Sequence, residues 1–278
     1  MNQKYGKCRS IVGGLFDVHK HLVLTCVLEE LKLHTKRFHY IDAHAGSGLY
    51  DLVDQGVSIN NSIGVKQLIN ANKNEMTEKY VDIVKGVNGE GGLCKYPGSP
   101  MIARKLMRAT DSASFVELNV DEYSELATNF QFSAGVVVDH GSAFDRVVKH
   151  IPQNIERGAI LVDPAYIIDE DYTDTANLVI QCRANWPNAT IIVLVPVTGS
   201  TAKDRYMTSL IKDSGVLDIV VSDLTYSVTA DGESIARTSR VLLVNPPSDI
   251  KNTIESVLSQ MVSTLPVSCE AKSRVELA

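Results

Sequence analysis

The chain has 278 residues, 44% of them hydrophobic, enough for one large core or one core with an attached unit. Its net charge of -6, taken alone, argues against a nucleic-acid binder, and no apolar run reaches the ~20 residues of a membrane-spanning helix. "MNQKYGKCRS" lacks the apolar stretch of a secretory signal, so a cytosolic protein is expected.

The charge is polarised. Residues 1–40 hold seven Lys/Arg (Lys4, Lys7, Arg9, Lys20, Lys32, Lys36 and Arg37) against three acids, which leaves the remainder strongly acidic. Lys4, Lys7 and Arg9 are therefore the expected contact for a polyanion, with Arg104, Lys105 and Arg108 next in line. The cysteines (Cys8, Cys26, Cys94, Cys182 and Cys269) form no C-x-x-C pair, and no histidines sit at zinc spacing, so no metal is expected.

In chain order, "FDVHKHLVLTCVLEELKL" (16–33) has apolar residues at helical spacing, with Asp17 as a candidate N-cap. "FHYID" alternates as a short strand and runs into a turn bearing Gly46 and Gly48. Residues 50–95 read as two helices without a convincing strand between them, an inserted helical subdomain dividing a main domain of 1–49 and 96–278. "GSPMIARKLMRAT" predicts a helix opened by Ser99 and Pro100. Strands are then predicted at 113–119, 135–141, 158–164, 189–196, 216–228 and 239–247, most of them separated by helical intervals such as "VDEYSELATNF" and "AFDRVVKHI".

Continuous Val/Ile/Leu strands alternating with helices imply a mostly parallel sheet covered on both faces. "TADGES" between the last two strands predicts a hairpin, hence one antiparallel strand closing the sheet. Open sheets of this kind bind ligands at the carboxyl ends of their strands, so those ends hold the candidate site.

At the first end, Asp42-x-His44-x-Gly46-x-Gly48 sets an imidazole beside glycines that permit close backbone approach; it matches neither the dinucleotide fingerprint nor a P-loop. At the second, Glu117 is placed to accept from both hydroxyls of a ribose. The third, "VVVDHGSAFD", offers Asp139, Ser142 and Asp145 for an adenine edge without deciding among them. At the fourth, the Asp163 carboxylate and the Pro164 carbonyl can both accept from one exocyclic amine, and Tyr166 can stack on the ring that bears it. "VNPPSD" (244–249) lacks the aromatic residue and is read as a turn.

These strand ends, in this order, resemble S-adenosylmethionine-dependent methyltransferases carrying a (D/N/S)-P-P-(Y/F/W) motif. "DVHKH", "YIDAHAGSGLY", "KYPGSPMIARKLMR", "VELN", "AFDRVVKHIP", "RGAILVDPAY" and "LLVNPP" together make the chain similar to the RlmJ family of 23S ribosomal RNA adenine-N6 methyltransferases. The resemblance implies a Rossmann-like class I α/β fold: a mostly parallel seven-stranded sheet with a C-terminal antiparallel hairpin and a small helical insertion. It implies S-adenosyl-L-methionine as cofactor and deproteinised or partly assembled 23S rRNA as partner, with no membrane and a monomeric state.

Carried over by motif, the resemblance places Lys20 and His21 beside the cofactor, His44 and the Gly46 loop along its methionine part, Ser99 against it, and Glu117 on its ribose. Asp163, at the cofactor and catalytic, would orient the target amine with the Pro164 carbonyl, and Tyr166 would stack on the target adenine. Three departures stand out. Ala165 replaces the motif's second proline; Ser142-Ala143 replaces an Asp-Gly at the adenine contact, unless a gap brings Asp139 there; and "RSIVGGLF" differs from the family's N-terminal segment. A DNA adenine-N6 methyltransferase and a non-catalytic nucleic-acid- or cofactor-binding relative are the alternatives.

Overall fold

The computed structural model describes residues 12–52, 63–71, 73–90, 92–197, 202–215, 218–230 and 233–278. The chain runs through α1 (Leu15–Lys32), β1 (His39–Asp42), β2 (Leu49–Asp51), α2 (Val65–Ile69), α3 (Glu75–Gly86), β3 (Lys95–Pro97), α4 (Ser99–Leu106) and β4 (Ser112–Glu117). It continues through α5 (Val120–Phe130), β5 (Val136–His140), α6 (Ala143–Arg146), β6 (Gly158–Val162), α7 (Glu170–Asn185), β7 (Ala189–Val197) and α8 (Ala202–Asp213). The hairpin β8 (Ile219–Ala230) and β9 (Glu233–Val244) follows, then α9 (Ile250–Thr264) and β10 (Lys272–Leu277).

One sheet, ordered β10-β8-β9-β7-β6-β1-β4-β5, contains every predicted main-sheet strand. Its β5, β4, β1, β6 and β7 pair in parallel, whereas β9 runs antiparallel to both β7 and β8. The expectation of seven strands needs one correction: β10 adds an eighth, antiparallel to β8 from Lys272↔Thr225 to Leu277↔Val220. "KSRVEL" buries only Val275, is charged or polar at Lys272, Ser273, Arg274 and Glu276, and leaves Leu277 exposed, the blunted pattern of an edge strand that carries little hydrophobic signal.

Side chains alternate between two cores. Tyr40, Phe115, Ala159 and Leu161 join α1, α4 and α9 on one face; Ile41, Val116, Ile160 and Val162 join α7 and α8 on the other. Val65, Leu68, Tyr80, Val81 and Val84, from the 50–95 segment, enter the same core as α1, beside Tyr96 of β3. A three-residue antiparallel ladder, β2 on β3, closes that segment at its base. Its strands are too short for alternation to reveal.

Asp17 is not the N-cap of α1. Gly14 holds that position, and the Asp17 carboxylate accepts from the Gly13 N–H at 3.0 Å from inside the first turn. Gly13, at φ +80, turns the chain back so that its amide faces the helix.

Strand order reverses at β1, which lies between β4 and β6, so the carboxyl ends of these strands border an opening at the switch point. Asn245, after β9, sits at the opposite edge of the sheet: its Nδ2 donates to Ala189 O at 3.0 Å, and Thr190 Oγ1 donates to Asn245 O at 2.9 Å. Asn-Pro-Pro is thus a turn at the amino end of β7, remote from the switch point.

Candidate active site

Helix α1 is fastened to the sheet by His19, which lies fully buried with its ring nitrogens 2.9 Å from Ser239 Oγ and 2.9 Å from Ser222 Oγ. Burial keeps this imidazole neutral, its pKa lowered to about 4. The next residue, Lys20, reaches the end of β6, where its Nζ donates to Asp163 Oδ2 at 2.6 Å and lies 3.1 Å from Asp17 Oδ1. Side-chain exposure is 10% for Lys20 and 22% for Asp163, so the pair is sheltered but reachable. Burial alone would lower the lysine pKa, but Asp163 and Asp17 outweigh it and raise it. Burial pushes the Asp163 carboxyl up while Lys20 pulls it down, and Asp17 ends below the usual carboxylate range because Lys20 overcomes its burial.

The loop after β1 is threaded between its neighbours: Ala43 N–H donates to Leu161 O at 2.9 Å and Ala45 N–H to Val116 O at 3.0 Å. His44 is thereby set beside Asp163, whose N–H donates to His44 Nδ1 at 3.3 Å. Nδ1 must then be the unprotonated nitrogen, and burial with Lys20 nearby lowers the His44 pKa to about 3. Phe144 meets this ring edge-on at 6.2 Å. Gly46 takes φ +59, and its N–H donates to Glu117 Oε2 at 2.7 Å. Asn119 N–H donates to Glu117 Oε1 at 2.7 Å. Each carboxylate oxygen keeps a lone pair for a further donor, and burial raises the Glu117 pKa. A Cβ on Gly46 would fall 2.1 Å from the Tyr50 hydroxyl.

Two buried networks stand behind these groups. Tyr40 OH donates to Asp42 Oδ2 at 2.8 Å, and Ser99 also bonds Asp42, whose burial lifts its pKa to about 6. Ser99 is thus engaged within the protein as well as lying at the start of α4. His21, 1% exposed, is stacked on Tyr96 at 5.6 Å, with Nδ1 2.8 Å from Tyr96 OH; Tyr80 OH is 2.9 Å further along. Its Nε2 is buried without a hydrogen-bond partner among the described residues.

Not every predicted residue converges. Asp139 is turned to His150 Nε2 at 2.8 Å, with Arg146 Nε 4.0 Å away, while Ser142 precedes α6 and Ala143 is buried in its first turn. Asp145 lies within α6. Tyr166 has φ +49 and packs its ring against Tyr172 at 4.6 Å; its hydroxyl is 3.9 Å from Met207 Sδ. The ring is part of the α7–α8 side of the core and only partly exposed. Pro164 is buried and Ala165 exposed. Arg108 chelates Asp111, with Nε 2.9 Å from Oδ2 and Nη2 2.9 Å from Oδ1, and it also donates to backbone carbonyls of His34 and Lys36. It is therefore a structural clasp. Lys4, Lys7 and Arg9 lie outside the described residues.

Sequence reasoning missed Asp42 and Tyr40 as buried supports, Asp171 and Tyr172 behind the Asp163 loop, and the partnership of Asp17 with Lys20. Only the last had a local signal, opposite charges three apart on a helix.

The family described as "Ribosomal RNA large subunit methyltransferase D, RlmJ" matches residues 35–276. The chain belongs to this family. It is thus a ribosomal RNA large-subunit methyltransferase with a Rossmann-like α/β fold. It is 29% identical over 257 residues to ribosomal RNA large subunit methyltransferase J of Haemophilus influenzae, covering 91% of each chain. It is 28% identical over 256 residues to the Escherichia coli protein of the same name, again covering 91% of each. Its fold is similar to the crystal structure of protein LPL1258 from Legionella pneumophila, with a TM-score of 0.84, 24% identity and coverage of 95% of this chain and 97% of that one. No helix among the described residues is long and apolar enough to cross a membrane.

Family membership implies S-adenosyl-L-methionine as the methyl donor. The residues fit it: Glu117 retains acceptor capacity suited to a ribose diol, and His21 Nε2 is a buried polar atom with no hydrogen-bond partner among the described residues.

Proposed function

We propose that this chain transfers a methyl group to N6 of an unpaired adenine in 23S ribosomal RNA. The observation that supports this best is the Asp163-Pro164 turn at the end of β6. There Lys20 holds Asp163 Oδ2, while Oδ1 has no hydrogen-bond partner among the described residues. A carboxylate oxygen and the Pro164 carbonyl leaving one strand end together suit the two N–H groups of an exocyclic amine.

S-adenosyl-L-methionine, when bound, supplies an electrophilic methyl. Lys20, His21, His44, Gly46, Ser99, Glu117, Ser142, Ala143 and Asp163 form the set that would hold it. The chain's main task is alignment, worth several kcal/mol as a positioning effect. An adenine amine is a weak nucleophile because its lone pair is delocalised into the ring. Accepting both N–H bonds at Asp163 and Pro164 favours the pyramidal nitrogen that attacks. Two carboxylates against one ammonium leave the Asp17–Lys20–Asp163 cluster one negative charge, which stabilises the positive charge developing on N6. The departing proton passes to Asp163 or water. His44, neutral and accepting from the Asp163 amide, fixes the backbone from which that carboxylate projects. The adenine must be out of its stack, at a cost of a few kcal/mol in a duplex, and stacking on the accessible part of Tyr166 offsets about 1 to 3 kcal/mol.

The protein acts as a cytoplasmic monomer on deproteinised or partly assembled RNA, through a methyltransferase domain of residues 1–49 and 96–278 with 50–95 as an inserted helical subdomain. Lys4, Lys7 and Arg9 contact the RNA backbone. The test is methylation of deproteinised 23S rRNA and matched DNA oligonucleotides with labelled cofactor, mapping the modified base. Asp163→Ala and Asp163→Asn should abolish transfer with cofactor binding largely retained. Methylation of DNA in preference to RNA, or transfer that survives both substitutions, overturns the reading.

A further inference from the structure

The loop from Asp163 to Asp169 has only one proline, yet it is held at several points. Asp171, the second residue of α7, is buried, and its Oδ2 accepts from Ile167 N–H at 2.7 Å and from Ile168 N–H at 3.1 Å. This is not ordinary capping of the helix start. Asp169 occupies the N-cap without a side-chain cap bond, and Asp171 reaches back out of the helix onto the loop. The Asp171 carbonyl is itself gripped by Thr175 Oγ1 at 2.6 Å, with Thr175 fully buried.

Between the reacting end and this anchor lies Tyr166, at φ +49, a conformation that an aromatic residue keeps only where its surroundings impose it. On one side of it are Asp163 and Pro164; on the other are the two amides bound to one carboxylate oxygen. Ala165, exposed, lacks the ring that would fix the backbone there.

We infer that Asp171 is a positioning residue for methyl transfer: by binding the Ile167 and Ile168 amides it supplies the loop rigidity that a second proline at position 165 would otherwise give. A proline there would restrict the backbone of residues 164 and 165 directly. Asp171 achieves the same end from the C-terminal side, by removing the freedom of residues 167 and 168. The carboxylate of Asp163, the Pro164 carbonyl and the Tyr166 ring then keep their mutual geometry. Asp171 touches neither substrate nor cofactor.

The inference rests on the adenine-clamp reading of Asp163, Pro164 and Tyr166, so its test needs a readout apart from activity. In the full-length protein, hydrogen exchange at the Ile167 and Ile168 amides is compared among wild type, Asp171→Ala, Asp171→Asn, Ala165→Pro and the Asp171→Ala/Ala165→Pro double variant, beside kcat and KM on RNA. Asp171→Ala should expose both amides and lower kcat about 10- to 100-fold, with KM for the cofactor within about twofold of wild type. Asp171→Asn, which keeps an acceptor, should stay close to wild type. The double variant should recover at least about tenfold of a hundredfold loss, because the proline restores stiffness without the carboxylate. Asp171→Ser, too short to reach the loop, takes alanine's place where the alanine variant does not fold.

Unchanged exchange in Asp171→Ala, or a kcat loss that Ala165→Pro fails to relieve, overturns the inference. Wild-type protein that protects both amides yet methylates no adenine overturns the adenine-clamp reading instead, and with it the catalytic role of Asp171 but not its grip on the loop.

Discussion

The Lys20 ammonium lies 2.6 Å from Asp163 and 3.1 Å from Asp17, joining the first turns of α1 to the end of β6 across 143 residues of sequence. Lys20 therefore serves the fold and the site at once. Lys20→Met should destabilise the protein by about 3 kcal/mol, because it leaves two sheltered carboxylates uncompensated. It should also move the acidic limb of the kcat/KM profile to higher pH, since burial then raises the Asp163 pKa unopposed. The lysine pKa is raised on folding, so its contribution is complete below the unfolded value of ~10.4 and is lost only above the folded one. Urea unfolding of wild type and variant should accordingly differ by the same amount at pH 7 and pH 9; a gap that closes by pH 9 contradicts the pairing.

Gly46→Ala should weaken cofactor binding and cost about 1 to 3 kcal/mol of stability. Its Cβ meets the Tyr50 hydroxyl at 2.1 Å while φ stays at +59. Tyr50→Phe in the same chain should relieve only part of this, because the ring carbon beneath the hydroxyl is still 3.3 Å away. Calorimetric titration with S-adenosyl-L-methionine, beside thermal melts, separates the two effects. Full recovery in the double variant would show that the backbone conformation costs nothing.

Acid should weaken the fold from near pH 6.5 downward. His19 and His39 have pKa values lowered by burial to about 4, and His21 and His44 to about 3. Between those values and ~6.5 the unfolded chain binds more protons than the folded one, so stability falls as the pH falls. Asp42 opposes this in part: its pKa is raised to about 6, so the folded state takes up a proton there before the unfolded one does. Denaturant midpoints from pH 7.5 to 4.5 should drop, and His19→Asn should flatten the drop. A flat wild-type profile would mean that these imidazoles are charged when buried.

Ala165→Pro in the otherwise native chain should leave activity equal or higher and raise stability by about 0.4 to 1 kcal/mol, by restricting the unfolded chain. Ala165 is exposed, and its N–H donates to no acceptor among the described residues, so proline removes no bond. Single-turnover methylation with thermal denaturation checks both. A large loss of activity would show that the loop needs a backbone proline cannot adopt.

The strand ends were readable from sequence because a parallel strand is a continuous apolar run, and the residue that ends it is placed at the sheet edge by that fact alone. His44, Glu117 and Asp163 are placed at that edge in this way, and the family resemblance adds Lys20, His21 and Ser99 as candidates. β10 was missed because "KSRVEL", an edge strand, buries a single side chain and so lacks the apolar run. Asp17 was read as an N-cap because an acid at a helix start has that local meaning, whereas Gly13 and Lys20 take its oxygens in the fold.

Sequence by itself determined the order of the first seven main-sheet strands and the helices between most of them, the antiparallel closure and the carboxyl edge where the candidate site lies, since each follows from local periodicity and turn chemistry. Only the tertiary structure decided which partner each polar group takes: His19 between Ser222 and Ser239, Lys20 on Asp163, Tyr166 against Tyr172, Asp171 under the loop. A buried donor or acceptor must be satisfied, but nothing in its own neighbourhood of the chain names the group that will satisfy it, because packing brings that group from far along the sequence.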